Sequence, residues 1–295
     1  MAERTLKLPI HHGRIVLRVF AGVSALLLVA ACSMAGMAYN NAVPLASWYI
    51  DDYVDLDEAQ TARFREGMER LQTWHRKSEL PEYSRVLEEA ARKVDGPVSA
   101  ADVRALYDDG RRFANRVGER ALGEMADILL TLSPQQIASI EARLKRDNEK
   151  IDAERIRAPA GKREKDRAER YVRNLESWLG PLTAEQKSRV QTQIAKVPAG
   201  DAMRLADRRR LQGEFLALVR NPPPRQKFIE ELRHMLTRPE EGRDPAYIAA
   251  TREWREQTAA LFADTLASAT PAQREHLKRK LRGYASDVMA LVASN

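Results

Sequence analysis

Apolar side chains recur three and four positions apart along most of the chain after residue 56. One stretch with this spacing contains Val103, Leu106, Phe113, Ala114 and Val117. The spacing is typical of an amphipathic α-helix, and no segment shows the alternation of a half-buried β-strand. The pattern therefore predicts an all-α fold, an elongated or curved bundle of about eight to ten helices.

Proline and glycine divide this helical pattern. They fall at residue 81 and in the segments 95–97, 158–161, 180–181, 198–200, 221–224 and 239–245. Such residues start or end helices, so each position is expected to separate two of them. We assign residues 57–157 and 158–295 to two helical regions, which could equally form one continuous domain. The composition agrees, because only 6% of the residues are aromatic and only 14 are glycine.

Four of the predicted helices begin in the same way. An Asp, Ser or Thr stands at the N-cap and a glutamine follows three positions later, in the pairs Asp57 with Gln60, Ser133 with Gln136, Thr183 with Gln186, and Thr270 with Gln273. This is the pattern of a capping box, in which the two residues satisfy each other's free backbone amides. Apolar residues follow each glutamine after four and eight positions. We expect the glutamine to supply only the return bond, so that its loss costs less than loss of the N-cap.

The helix starts resemble the "LTxxQ" element of the small, all-helical Spy/CpxP-type periplasmic chaperones and stress sensors. The match is complete only at "LTAEQ", residues 182–186. The resemblance implies a curved helical cradle that binds other proteins. The alternative is that capping boxes recur because they start helices well. The four glutamines are 76, 50 and 87 residues apart, a spacing unlike that of a solenoid with a fixed period.

The first residues of the chain have the order of an export signal. Basic residues precede an uncharged apolar run that begins at Val19, and the run is followed by Ala30, Ala31 and the only cysteine, Cys32. This order resembles a bacterial lipobox, which implies a signal peptide over residues 1–31, lipidation of Cys32 and a lipidated N-terminal segment over residues 32–56.

Other readings of this N-terminal region stay open. Ser33 follows the cysteine where an aspartate would retain a lipoprotein at the inner membrane, so the outer membrane, facing the periplasm, is favoured over an inner-membrane anchor. The uncharged stretch from Val19 to Ala38 is also long enough to serve as an uncleaved membrane-spanning anchor.

A second resemblance covers most of the chain after the signal. The segments "YNNAVPLASWYIDDYVDLDEAQ", residues 39–60, and "WHRKSELPEYSRVL", residues 74–87, are similar to the opening of an uncharacterised family of proteobacterial lipoproteins. That family implies an all-helical periplasmic lipoprotein and leaves the activity open.

The residues that carry metal, thiol or nucleotide chemistry are scarce. With Cys32 committed to lipid, no thiol remains for a disulfide or a metal site. The three histidines after the signal, His75, His234 and His276, lack the spacing of metal ligands, and no glycine-rich phosphate loop is present. We therefore expect no metal and no cofactor.

An acidic cluster surrounds Tyr53 and suggests one enzymatic alternative. It comprises Asp51, Asp52, Asp55, Asp57 and Glu58. Paired carboxylates among residues 51–57 could serve a cell-wall or lipid-modifying hydrolase. A simpler interpretation is that Asp57 caps a helix, that Glu58 lies at its positive end, and that the others are solvated.

Residues 143–173 carry the opposite charge. This segment has twelve basic and seven acidic residues, whereas the chain without residues 1–31 has a net charge of only +4. Interleaved signs are typical of a solvated helical hairpin. The alternative is a surface, including Arg163, Lys165 and Arg167, that binds lipopolysaccharide phosphates, lipid head groups or acidic stretches of unfolded proteins. Nucleic acid is not expected in that compartment.

These observations favour a lipid-anchored periplasmic binding protein, either a chaperone-like or an envelope-maintenance factor. The hydrolase, and a structural accessory subunit, are the alternatives.

Overall fold

The computed structural model of the chain describes residues 34–197 and 200–294. This part of the protein is all-helical and contains no strand, which confirms the predicted fold class. It comprises twelve helices: α1 (Met34–Asn40), α2 (Ala42–Asp51), α3 (Glu58–Ser78), α4 (Leu80–Lys93), α5 (Ala100–Leu129), α6 (Pro134–Arg155), α7 (Ala160–Leu179), α8 (Ala184–Lys196), α9 (Asp201–Arg220), α10 (Arg225–Thr237), α11 (Pro245–Ala267) and α12 (Pro271–Ala293).

The predicted count of eight to ten helices is therefore too low. The ten helices from α3 onward begin or end at the predicted breaks and capping boxes. The two extra helices, α1 and α2, lie before Asp57, where no long amphipathic pattern marks them. They are stabilised by contacts with the rest of the chain, because Tyr39 and Ala46 are buried. Among the described residues, no helix is both long and apolar enough to cross a membrane.

Two main hydrophobic cores hold the helices together. One core is formed by α5, α6, α9 and α10, with Tyr53 and Val54 packed against them. The other is formed by α7, α8, α11 and α12, together with the end of α4. Helices from both sides of residue 157 contribute to each core. Close packing also fixes α5 against α10, since a Cβ atom added at Gly118 would lie 2.6 Å from a Leu236 methyl carbon.

The helices pack in a pattern that leaves a space between two pairs of them. In one pair α4 packs along α12, and in the other α5 packs against α11. The helices α11 and α12 are consecutive in the chain but pack on different partners. The two helices therefore line different sides of this space.

Candidate functional site

An open groove lies between the α4/α12 pair and the α5/α11 pair. Its volume is about 1040 Å³, which is at the upper end of the range for sites that bind small molecules. Aliphatic and aromatic side chains dominate its lining, and they include Leu87, Val103, Leu106, Tyr107, Trp178, Trp254, Phe262, Leu281 and Tyr284.

Two of the exposed apolar residues of the protein lie at this groove. Leu106 is 45% exposed and Tyr107 is 43% exposed, although both are large apolar or aromatic residues. Trp178 and Trp254 are half-buried and line the same space. An exposed apolar surface in a concave site is characteristic of ligand binding. This surface makes the groove the candidate functional site.

Charged side chains surround the apolar lining, and several of them pair with each other. Lys93 forms an ion pair with Asp102 at 2.5 Å, and Arg104 forms one with Glu256 at 2.6 Å. The second pair connects α5 with α11 across one wall. These exposed pairs contribute little to stability but hold the side chains in place at the rim.

A buried histidine network adjoins one end of the groove. His75 is 2% exposed, and its two ring nitrogens lie 3.2 Å from the Tyr39 hydroxyl and 3.1 Å from the Tyr83 hydroxyl. The Tyr39 hydroxyl donates to the Gln72 carbonyl, so His75 Nδ1 is the donor to Tyr39, and Nε2 accepts from Tyr83. Burial lowers the pKa of His75 to about 4. Tyr83 also lines the groove, where it packs against Phe113.

The predicted helix starts are all formed, and the structure brings them together in two pairs. In each of the four, the N-cap side chain accepts from the glutamine backbone and the glutamine side chain accepts from the N-cap backbone. The residues four and eight positions after each glutamine are buried. In addition, Gln60 pairs with Gln136, and Gln186 pairs with Gln273.

Each pair of glutamines forms two reciprocal hydrogen bonds. Gln60 Nε2 donates to Gln136 Oε1 at 3.2 Å, and Gln136 Nε2 donates back at 2.6 Å. Each Nε2 also donates to the carbonyl that lies five residues before its partner glutamine, and these carbonyls belong to Thr131, Asp55, Ser268 and Pro181. The two pairs thus have the same register. We call them the glutamine clasps.

The expectation that these glutamines supply only a return bond is wrong. Gln186 is 5% exposed and Gln273 is 6% exposed. Their amides connect the start of α8 to the start of α12 as well as capping their own helices. Sequence reasoning missed this because the partners are 87 residues apart and a local pattern does not reveal which glutamines meet.

The acidic residues near Tyr53 have individual roles and contacts. Asp51, Asp52 and Asp55 are exposed, whereas Asp57 caps α3. Asp52 forms an ion pair with Arg143. Within residues 34–197 and 200–294, no group of three or more His, Cys, Asp or Glu side chains is placed to hold a metal ion.

Tyr53 instead belongs to a buried polar network between α6 and α9. Its hydroxyl donates to Asp147, and burial raises its pKa above the ordinary range. Arg208, which is 5% exposed, donates to Asn148 at 2.7 Å, and Asn148 donates to Gln212 at 2.7 Å. This network joins two core helices and is remote from the groove lining.

The three basic residues proposed for an anionic surface have different environments on α7. Lys165 is exposed and lies 3.9 Å from Glu169. Arg163 is half-buried. Arg167 is also half-buried, and it donates to the carbonyl of Val197 at 2.7 Å, which fastens α7 to the end of α8. Cys32, with the signal peptide predicted before it, lies outside the described residues.

The fold and the groove define an all-α protein with an open, predominantly apolar groove. Residues 52–247 match the model of a family of unknown function, DUF6279, and this match covers more than half of the chain. The protein belongs to that family. No curated protein and no solved structure matches the chain. The likeness to the Spy/CpxP-type chaperones stays a prediction.

Proposed function

We propose that this protein is a lipid-anchored binding protein of the bacterial envelope, which holds the apolar part of an envelope molecule in the groove between α4, α5, α11 and α12. The observation that carries the proposal is the groove itself, with a volume of about 1040 Å³ and a predominantly apolar lining. A protein in water gains nothing from leaving such a surface uncovered, so a binding role explains it best.

The proposed cellular location of the protein is based on its N-terminal sequence. Lipidation of Cys32 would place the start of α1 beside the membrane, on the periplasmic face of the outer membrane if Ser33 acts as the sorting residue. Trp48 on α2 is 71% exposed and lies close to that end of the chain. An exposed tryptophan there suits the interface of a bilayer.

The groove supports binding better than it supports catalysis. Its lining is predominantly apolar, and the acidic residues considered for a hydrolase are exposed or cap a helix elsewhere. We therefore propose an envelope-maintenance or chaperone-like role, within an elongated or curved helical bundle. The basic residues of α7 are a secondary surface for anionic partners in this proposal.

Fluorescence binding tests the proposal. The purified protein should increase the emission of an apolar dye such as N-phenyl-1-naphthylamine with saturable binding, because the dye enters a desolvated site. An envelope ligand, either a phospholipid or an unfolded outer-membrane protein, should displace the dye. Absence of saturable binding by the folded protein would contradict the proposed function.

A further inference from the structure

The residues that line the groove limit the chemical class of ligand that it can bind. All lining residues belong to helices except Val94, Val98, Glu240 and Arg243. Backbone N–H and C=O groups inside helices already bond to one another. An extended polypeptide in this groove would find few backbone partners there, and burying its own amides without hydrogen bonds is costly. A hydrocarbon chain has no such requirement.

Charged groups that form no ion pair with a described residue lie on both walls of the groove. On α12, Asp287 Oδ2 is buried and accepts no hydrogen bond from any described residue. On α11, no described residue forms an ion pair with the exposed Arg252, and Arg255 lies over the Tyr107 ring with its Nε atom buried and without a partner. All three of these charged residues line the groove.

Asp287 on α12 and Arg252 on α11 occupy comparable positions along their helices. Asp287 follows the α11–α12 turn by nearly as many residues as Arg252 precedes it, and both helices rise by the same amount per residue. Arg252 and Arg255 are three positions apart and so share a helix face. Among its charged lining residues, the groove thus contains the Asp287 carboxylate on α12 and the Arg252 and Arg255 guanidinium groups on α11, next to apolar side chains.

We propose that the ligand of the groove is a membrane phospholipid with a zwitterionic, amine-bearing head group. The acyl chains occupy the apolar lining, Asp287 receives the ammonium group, and Arg252 with Arg255 receives the phosphate. Guanidinium groups match phosphate oxygens, and a carboxylate forms a strong charge-assisted hydrogen bond with an ammonium group. This inference rests on the proposed function, since it names the molecule that the groove holds.

Lipid selectivity of the full-length protein tests the inference. The protein is purified in detergent with equal amounts of phosphatidylethanolamine and phosphatidylglycerol, and the bound phospholipid is quantified by mass spectrometry. We expect phosphatidylethanolamine to be retained about tenfold over phosphatidylglycerol, the ratio expected for one charge-assisted hydrogen bond. Asp287→Asn should reduce this ratio to near one, whereas Arg252→Gln should weaken retention of both lipids.

Matched controls and the dye experiment separate the outcomes. Glu275→Gln removes an exposed carboxylate of α12 outside the groove, and it should leave the ratio unchanged. Equal retention of the two lipids by the wild type, or an unchanged ratio in Asp287→Asn, overturns the inference. If an unfolded protein displaces the dye but no phospholipid is retained, the inference fails while the proposed function stands. If neither dye nor lipid binds, both fail.

Discussion

Gln186 and Gln273 bind each other twice, with each side-chain amide nitrogen 3.0 or 2.9 Å from the other's carbonyl oxygen. Each of these oxygens also accepts from the backbone of its own N-cap residue, Thr183 or Thr270. Each side-chain amide therefore donates through its nitrogen to the partner glutamine, while its oxygen accepts from the N-cap backbone of its own helix. The same arrangement joins Gln60 to Gln136, so two distant pairs of helix starts are fixed in one way.

Gln186→Glu should destabilise the protein by about 3 kcal/mol, because it replaces a buried donor by a carboxylate that faces two acceptors. Thr183→Ala removes only the N-cap acceptor and should cost about 1 kcal/mol. Urea unfolding near neutral pH measures both changes in the free energy of unfolding.

The control for this comparison is Gln191→Glu, which makes the same change at an exposed position of α8. It should alter the free energy of unfolding by no more than about 0.5 kcal/mol. A destabilisation in Gln186→Glu no greater than that in the control would show that the clasp contributes little.

The sequence predicted the starts of these helices because capping depends on residues only three positions apart, such as Thr183 and Gln186. It also predicted the all-α class, since the apolar spacing is a local property. The pairing of the clasps and the groove were not predicted. Both depend on which distant helices pack together, and residues such as Leu106 and Trp254 look the same in sequence whether they lie in a core or line a groove.

The buried His75 should make stability depend on pH. Its folded pKa of about 4 is below the ordinary value of 6.5, so the unfolded chain binds the proton more readily between those values. The contribution of neutral His75 to the free energy of unfolding is complete above pH 6.5. It falls by ~3 kcal/mol as the pH is lowered to about 4 and changes no further below that.

Urea unfolding of the wild type and His75→Gln across this range measures the effect. Carboxylates also titrate there, but they are common to both proteins, so the difference between the two curves isolates His75. The gap in the free energy of unfolding should narrow as the pH falls from 6.5 to 4. A constant gap would show that His75 titrates normally.

Substitutions of Arg167 and Lys165 should have different effects on stability, although both residues belong to the basic segment 143–173. Arg167→Gln removes the hydrogen bond to the Val197 carbonyl and should destabilise by about 1 kcal/mol. Lys165→Gln removes only an exposed charge, and it should leave the free energy of unfolding nearly unchanged.

The Lys165→Gln variant also tests whether residues 143–173 bind anions. If the segment binds anions, Lys165→Gln should weaken association with acidic vesicles, and the association should decline steeply with added salt. Vesicle binding that is equal in Lys165→Gln and wild type would leave α7 as a solvated helix.

Cys32→Ser should abolish metabolic labelling with palmitate, because the serine hydroxyl does not replace the thiol as acyl acceptor. The variant should accumulate with an uncleaved signal, which a mass measurement detects. Undiminished labelling of the variant would end the lipoprotein interpretation.

Dye titration of two double variants tests whether the groove is the binding site. Leu106→Ser with Tyr107→Ser removes two exposed apolar side chains from the groove. Leu45→Ser with Met203→Ser removes two side chains of similar exposure, 41% and 40%, that do not line it. The groove variant should weaken dye binding by about tenfold, the effect of losing roughly 1.4 kcal/mol of apolar contact, while the control should bind like the wild type. Equal affinities in the two variants, with both folded by circular dichroism, would show that the dye does not bind in the groove.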